Sequence, residues 1–292
     1  MRRLLAGLFA LALVTVAPHG LSGVAAAGRR APASLDLRVM TFNLRYASDT
    51  KPNSWPERRP VMKQVITTQA PDVIGTQEGL YQQLKDMGVD LPAYEWIGLG
   101  RDGGSRGEFM AIFYRRDRFE PLAFDHFWLS DTPDVIGSST WGNSNRRMVT
   151  WVLFRDRESG REFYVWNTHL DHEIEIARRN AAALIRDRLA KAETAVPLVL
   201  VGDFNSPAGN SPAYDILTKE AHLADTWPLA RRRTNDGIGT FHNFKGPAEG
   251  AARIDWILAR GRVDVPESAI VTFAQTGQYP SDHFPVVATL RF

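Results

Sequence analysis

The sequence predicts an α/β fold in which two packed sheets are flanked by helices. Three observations carry this reading. Strand-like apolar stretches outnumber helical ones, the helical stretches fall mainly early and late, and many of the strands end on a polar side chain. A wholly parallel sheet would instead place a helix after every strand.

The elements follow in order. Leu37–Phe42 reads as a strand ending at Asn43, and Trp55-Pro56-Glu57 opens a helix with Val61, Val65 and Ile66 at helical spacing. Asp72–Thr76 is a short strand ending at Gln77 and Glu78, and a second helix follows through Leu84. Tyr94–Leu99, Phe109–Tyr114, Phe124–Leu129 and Val149–Phe154 read as strands, separated by turn-rich connections that include Arg101–Gly107 and the long loop Ser130–Arg147. Glu162–Thr168 is a strand ending at His169. Glu173–Leu189 is the clearest helix, with Ile176, Asn180, Ala183, Leu184 and Leu189 on one face. Ser211–Leu217 is a short helix before a loop around Asp225, and Gly239–Phe244, Arg253–Ala259, Ala269–Ala274 and Phe284–Phe292 complete the strands.

The central stretch is Val196–Asn205, VPLVLVGDFN. Its apolar run reads as a buried strand that delivers Asp203 and Asn205 to one side, because residues two apart on an extended chain point the same way. Gly, Asp and Asn also favour turns, so this stretch alone is open to a turn-only reading. The pattern recurs, however. Asn43, Glu78, His169, Asp203 and Asn205 each sit at a strand end, and Asp282-His283 sits just before a strand.

Composition limits the chemistry. The 292 residues are 44% hydrophobic and 23% charged, enough for a large core, read here as one domain from Leu35 to Phe292. With no cysteine, thiol chemistry is excluded and any metal must be held by oxygen and imidazole. Arg2, Arg3, the apolar run Leu4–Val16 and Ala25–Ala27 have the three parts of a secretory signal peptide. The run is short against the ~20 residues of a membrane span. Residues 1–27 are therefore expected to be cleaved near Ala27, leaving a short tail at 28–34 and a soluble, secreted, monomeric product. The twin arginine also fits a folded-export route. Removing two arginines takes the formal charge from +2 to zero, which gives no overall field for non-specific nucleic-acid binding. Arg231–Arg233 reads as a solvated loop.

Seven short motifs occur in order: TFNLRY (Thr41–Tyr46), GTQE (Gly75–Glu78), NTHLD (Asn167–Asp171), GDFN (Gly202–Asn205), LADTW (Leu223–Trp227), RIDWIL (Arg253–Leu258) and SDHFPV (Ser281–Val286). Together they resemble the endonuclease/exonuclease/phosphatase superfamily, which includes DNases, abasic-site endonucleases, nocturnin-type deadenylases, sphingomyelinases and inositol polyphosphate phosphatases. The resemblance implies a four-layer α/β sandwich with its active site at one end of the two sheets. It implies Glu78, Asn43 and Asp282 as metal-binding residues for Mg²⁺ or Mn²⁺. Asp203 would orient or deprotonate the attacking water, Asn205 and His169 would face the phosphate, and His283 would lie at the scissile phosphate with Asp225 holding its imidazole. Asp255 is expected to order the site. Arg147 and Glu108 are candidate substrate contacts, Glu108 equally a solvated loop end. His126, His172 and His242 have no motif and read as structural or substrate-side.

The expected activity is in-line hydrolysis of phosphodiesters, with nucleic acid as a candidate substrate. The same metal site would serve a phosphomonoesterase or a sphingomyelinase, although no aromatic hairpin suited to a membrane stands out. A non-catalytic binding module would be expected to lack Glu78, Asp203 or His283, and all three are present.

Overall fold

In a computed structural model, which describes residues 34–292, the chain begins with a strand, β1 (Asp36–Asn43). The signal-peptide reading of 1–27 and nearly all of the tail lie outside the described residues. From β1 the chain passes through α1 (Trp55–Gln69), β2 (Val73–Gln77), β3 (Gly79–Leu80), α2 (Tyr81–Asp90), β4 (Tyr94–Ile97), β5 (Glu108–Phe109) and β6 (Ile112–Arg115). Then come β7 (Phe119–Trp128), β8 (Met148–Asp156), β9 (Glu162–His169), α3 (Glu175–Leu189) and β10 (Leu198–Asp203). The last part holds α4 (Pro212–Asp215) with a π turn at Ile216–Glu220, β11 (Ala224–Asp225) and α5 (Thr226–Leu229). It ends with β12 (Arg232–Thr234), β13 (Asp255–Arg260), β14 (Asp264–Ile270) and β15 (Val286–Arg291).

Two sheets form. One has seven strands in the order β12-β14-β15-β1-β2-β6-β4, and the other six in the order β11-β13-β10-β9-β8-β7. Their facing sides bury Val39, Val73, Val165, Val201 and Val286 against each other. On the outer face of the first sheet, Met40 and Phe42 pack with Val65 and Ile66 of α1 and Leu84 and Met87 of α2. On the outer face of the second, Trp166 and Leu200 pack with Ala181 and Ile185 of α3. This is the four-layer sandwich. Among the described residues no helix is long and apolar enough to cross a membrane.

The sheets approach most tightly just below the strand ends. Gly75 of β2 has no side chain because none fits: a Cβ there would lie 2.2 Å from Val201 Cγ2 and 3.0 Å from Asn167 Oδ1. The approach lets Asn167 of β9 donate to the carbonyls of Thr76 and Ala111 (2.8 Å each) and accept from Gln77 Nε2 (2.7 Å). A buried polar network thus links the two sheets under the site, with Gln77 Oε1 left without a hydrogen-bond partner among the described residues.

Several expectations need correction. Helix α3 buries Ala177, Ala181, Ala182, Ile185 and Leu189, and leaves Ile176 51% exposed. Small alanines let the helix sit close to the sheet, which selects a face rotated from the one with the larger residues. Gly239–Phe244 is not a strand: only Phe241 bridges, to His283. Arg231–Arg233 is not a plain loop, since β12 runs through it. Arg231 pairs with Asp264, Arg232 with Glu267, and Arg233 with Asp236. Asp225, expected in a loop, ends the two-residue strand β11.

Gly75→Ala is expected to destabilise the fold by about 1–3 kcal/mol, the usual cost of overpacking. Equilibrium urea unfolding measures it, and an unchanged midpoint would show that the sheets can move apart freely at this point.

Candidate active site

The strand register builds the site. In the second sheet Asp203 of β10 pairs with His169 on parallel β9 and with Asp255 on antiparallel β13. Laterally paired residues present side chains to the same face of a sheet, so the three stand in a row. From the first sheet, Asn43 ends β1 and Glu78 follows β2. Asp282 and His283 lead into β15, the neighbour of β1. Glu78 and Asn205 both have positive φ (63° and 47°), left-handed backbone that side chains seldom adopt.

Of these residues, Glu78, Asp203, Asn205, His169, Asp282 and His283 line one cavity of about 540 Å³. Arg45, Tyr46, Phe241 and Asn243 also line it, as do Arg101, Glu108, Asn145, Arg147 and His172. Sequence reasoning did not single out Arg45, Arg101, Asn145 or Phe241 as site residues. They come from loops whose paths depend on distant packing.

His283 is the electrostatic hinge. Its Nδ1 donates to Asp255 Oδ2 at 2.9 Å, and its Nε2 lies 3.7 Å from Asp203 Oδ2. Burial alone would lower its pKa, but Asp255 and Asp203 outweigh burial and raise it to about 10, so the imidazolium persists at neutral pH. Asp203 is pushed up by burial and by Asp255, against the pull of His283, the Asn43 amide and the Asn205 N–H.

Asp225 does not hold this imidazole. It pairs with Arg253, accepts from Tyr214 Oη (3.0 Å) and caps the Trp227 N–H (3.0 Å), outside the cavity lining. The imidazole's carboxylate is Asp255, because β13 rather than β11 is the neighbour of β10.

Three amide and imidazole roles also change. Asn43 is fully buried; its Nδ2 donates to Glu78 Oε1 and Asp203 Oδ2 (2.9 Å each), while its Oδ1 accepts the Arg45 N–H. It therefore ties the two carboxylates together. Asn205 uses both amide hydrogens internally, on His169 Nε2 and the Leu170 carbonyl (3.0 Å each), so it presents an acceptor, not a donor, to the cavity. His169 accepts from that amide, and burial followed by the charge of Arg147 holds it neutral, its pKa well below the usual value.

The donor set suits a hard divalent cation. Single ligand atoms of Glu78, His169 and Asp203 lie within 4.8 Å of one another. Among the described residues Asp282 belongs to no such group, but it shares the cavity. Burial, with Glu78 adding to it, raises its pKa. The basic partner of Glu78 and Asp282 is Arg45, at 3.9 and 3.7 Å. Carboxylates with so little direct neutralisation match what Mg²⁺ or Mn²⁺ requires, with water completing the shell. The second cluster, Asp203, Asp255 and His283, carries its own cation in the imidazolium.

Glu108 lies on the wall, bound by Arg101 at 2.7 Å, which in turn donates to Asn145 Oδ1 (3.0 Å). Burial raises the Glu108 pKa. Arg58 is a further residue that the sequence reading missed. Fully buried on α1, it donates to the carbonyls of Leu44, Arg45, Tyr46, Asn53 and Pro280, at 2.6 to 3.1 Å.

The sequence profile described as the Endonuclease/Exonuclease/phosphatase family matches residues 40–283. The chain belongs to that family. It is accordingly a hydrolase acting on phosphoester bonds. It is similar to a family protein of Bacteroides vulgatus, at 37% identity over 88% of this chain and 98% of that one, with a TM-score of 0.82. It is similar too to a mannosyl-6-phosphatase of Bacteroides thetaiotaomicron, at 34% identity over 88% of this chain and 100% of the other, again with a TM-score of 0.82. Nocturnin of Drosophila melanogaster is 26% identical across 80% of this chain, which spans 41% of that relative.

Exchanging the two candidate carboxylates tests which one holds the imidazole. Asp255→Asn is expected to lower kcat/KM at least about 10²-fold and to move the alkaline limb of the pH profile down. Imidazolium chemistry is lost as pH rises through the His283 pKa, which Asp255 raises. Asp225→Asn should change kcat/KM less than about 3-fold while lowering Tm. The opposite pattern would return the imidazole to Asp225.

Proposed function

We propose that this family member is an exported, divalent-metal-dependent hydrolase that cleaves a small polar phosphate ester by in-line attack of water. The observation that carries this is the placement of buried Asp203, flanked by His169 and Asp255, in the same cavity as Glu78 and Asp282. A space of about 540 Å³ suits a small ligand more than a polymer groove. The similarity to a mannosyl-6-phosphatase over nearly the whole of both chains supports a phosphorylated sugar or comparable polyol.

Asp203 takes the proton of the attacking water, and Asn205 Oδ1 accepts a hydrogen bond that orients that water. The water oxygen bonds to phosphorus as the ester P–O bond breaks, and the departing oxygen takes up a proton from solvent, giving an alcohol and inorganic phosphate while Asp203 returns its proton to solvent. His283, charged and held by Asp255, donates to the developing negative charge. A divalent cation, held by Glu78 with Asp282 nearby, would offset charge on the phosphate and the departing oxygen. Glu108 and Arg147 contact the substrate from the wall.

A nuclease-type phosphodiesterase is the second reading. Tyr46 and Phe241, 39% and 48% exposed in the cavity lining, offer faces on which a base could stack. The export reading rests on Arg2-Arg3, Leu4–Val16 and Ala25–Ala27. Mass spectrometry of the exported product should find it starting near Gly28.

Hydrolysis of p-nitrophenyl phosphate and bis(p-nitrophenyl) phosphate, compared side by side, checks the activity. Turnover is expected with Mg²⁺ or Mn²⁺, to vanish in EDTA, and to fall at least about 10²-fold in Asp203→Ala. Full activity in EDTA would overturn the metal assignment, and faster diester cleavage would favour the nuclease reading.

A further inference from the structure

One cation on the cavity wall has bonding capacity that the protein leaves unused. Arg147, at the end of the long loop before β8, is only 3% exposed, yet it lines the cavity. Its Nη2 meets His172 Nδ1 at 3.2 Å. Its Nε and Nη1 are buried with no hydrogen-bond partner among the described residues. Glu108, the carboxylate that acts on it most strongly, is held by Arg101 at 2.7 Å. A guanidinium keeps its proton, so an unpaired buried one is costly until an anion meets it.

Two neighbouring groups are already committed. Asn205 spends both amide hydrogens inside the protein, and His169 is the acceptor of one of them. Arg147 is therefore the charged donor that this part of the wall offers to an anion, beside the neutral side-chain amide of Asn145, whose Oδ1 accepts from Arg101. Its planar fork suits two oxygens or one shared oxygen of a phosphate.

We propose that Arg147 selects phosphate monoesters over diesters by receiving the third non-bridging oxygen. A monoester has three such oxygens and, at neutral pH, up to two negative charges. A diester has two oxygens and one charge, and its second ester chain occupies the remaining position. With a diester bound, Arg147 faces an uncharged ester oxygen and stays unpaired. A site built around a hydrogen-bonding group discriminates strongly against an analogue that leaves that group without a partner. This inference rests on the phosphoesterase reading above and adds to it the charge class of the substrate.

The test combines turnover with binding in the full-length protein. Wild type, Arg147→Gln and Arg147→Lys are assayed with Mg²⁺ on p-nitrophenyl phosphate and bis(p-nitrophenyl) phosphate. Calorimetry with inorganic phosphate and with dimethyl phosphate reads recognition without chemistry. Arg147→Gln is expected to lower monoester kcat/KM by roughly 10²-fold or more and diester kcat/KM by about 5-fold. It should also abolish the preference for inorganic phosphate over dimethyl phosphate. Arg147→Lys, which keeps the charge but loses the fork, should fall between, and it decides the matter if Arg147→Gln does not fold. An equal fall on both esters, or a phosphate preference that survives the substitution, overturns the inference. If wild type hydrolyses neither ester yet prefers inorganic phosphate through Arg147, the hydrolytic reading fails and the recognition role stands.

Discussion

Asp203 and Asp255 lie opposite each other on neighbouring antiparallel strands, and the organisation of this end of the molecule follows from that pair. Like charges in such positions repel, and burial removes the water that would screen them. The relief comes from the other sheet. His283 enters from the segment before β15 and places one ring nitrogen 2.9 Å from Asp255 and the other 3.7 Å from Asp203. Asn43, also from the first sheet, donates to Asp203. The groups that make Asp203 a usable base therefore also fasten the two sheets together at their ends. Chemistry and cohesion share the same contacts here, so a change to His283 acts on both.

Much of this was legible in the chain because burial and periodicity are local properties. The apolar runs ending at Asn43, His169 and Asp203 were recognisable as strands, and their terminal polar residues do meet in one cavity or directly beneath it. What failed was long-range pairing. LADTW and RIDWIL each carry an aspartate beside an apolar segment, and nothing local says which segment adjoins β10. The register gives that place to Asp255 and leaves Asp225 to neutralise Arg253. The same limit applies within a side chain. The residue type of Asn43 and Asn205 is evident from sequence, but which amide atom Asn43 turns to the carboxylates, and which Asn205 turns to the cavity, depends on the Arg45 N–H and the Leu170 carbonyl. The face of α3 was misread for a related reason: contact distance to the sheet, not side-chain size alone, chose the alanines.

Arg58 shows how a single buried charge can organise irregular backbone. Loops at the ends of strands carry carbonyls that no ladder satisfies, and burying them unpaired is unfavourable. The Arg58 guanidinium supplies the missing donors to five such carbonyls, spanning the segment after Asn43 and the one before Asp282. Burial pulls its pKa down to about 10, which still leaves it charged at neutral pH. One side chain from α1 thereby couples the lip that carries Arg45 and Tyr46 to the floor that carries Asp282 and His283.

The distribution of neutralised and unneutralised groups then describes the ligand. On the floor, the imidazolium is matched by its two carboxylates, and on the wall Arg101 is matched by Glu108. Those groups satisfy one another before anything binds. Two features are left with charge to spare. Glu78 and Asp282 form an acidic patch that Arg45 touches only at 3.7 to 3.9 Å, and Arg147 is a buried cation with two donors that meet no partner among the described residues. An acidic patch and a guanidinium with unused donors in one cavity ask for opposite charges at different places. A divalent cation bound to a phosphate supplies both, the metal toward the carboxylates and the phosphate oxygens toward the arginine. The electrostatic imbalance of the protein alone is thus complementary to a metal-phosphate ester pair, independent of any particular alcohol that the ester carries.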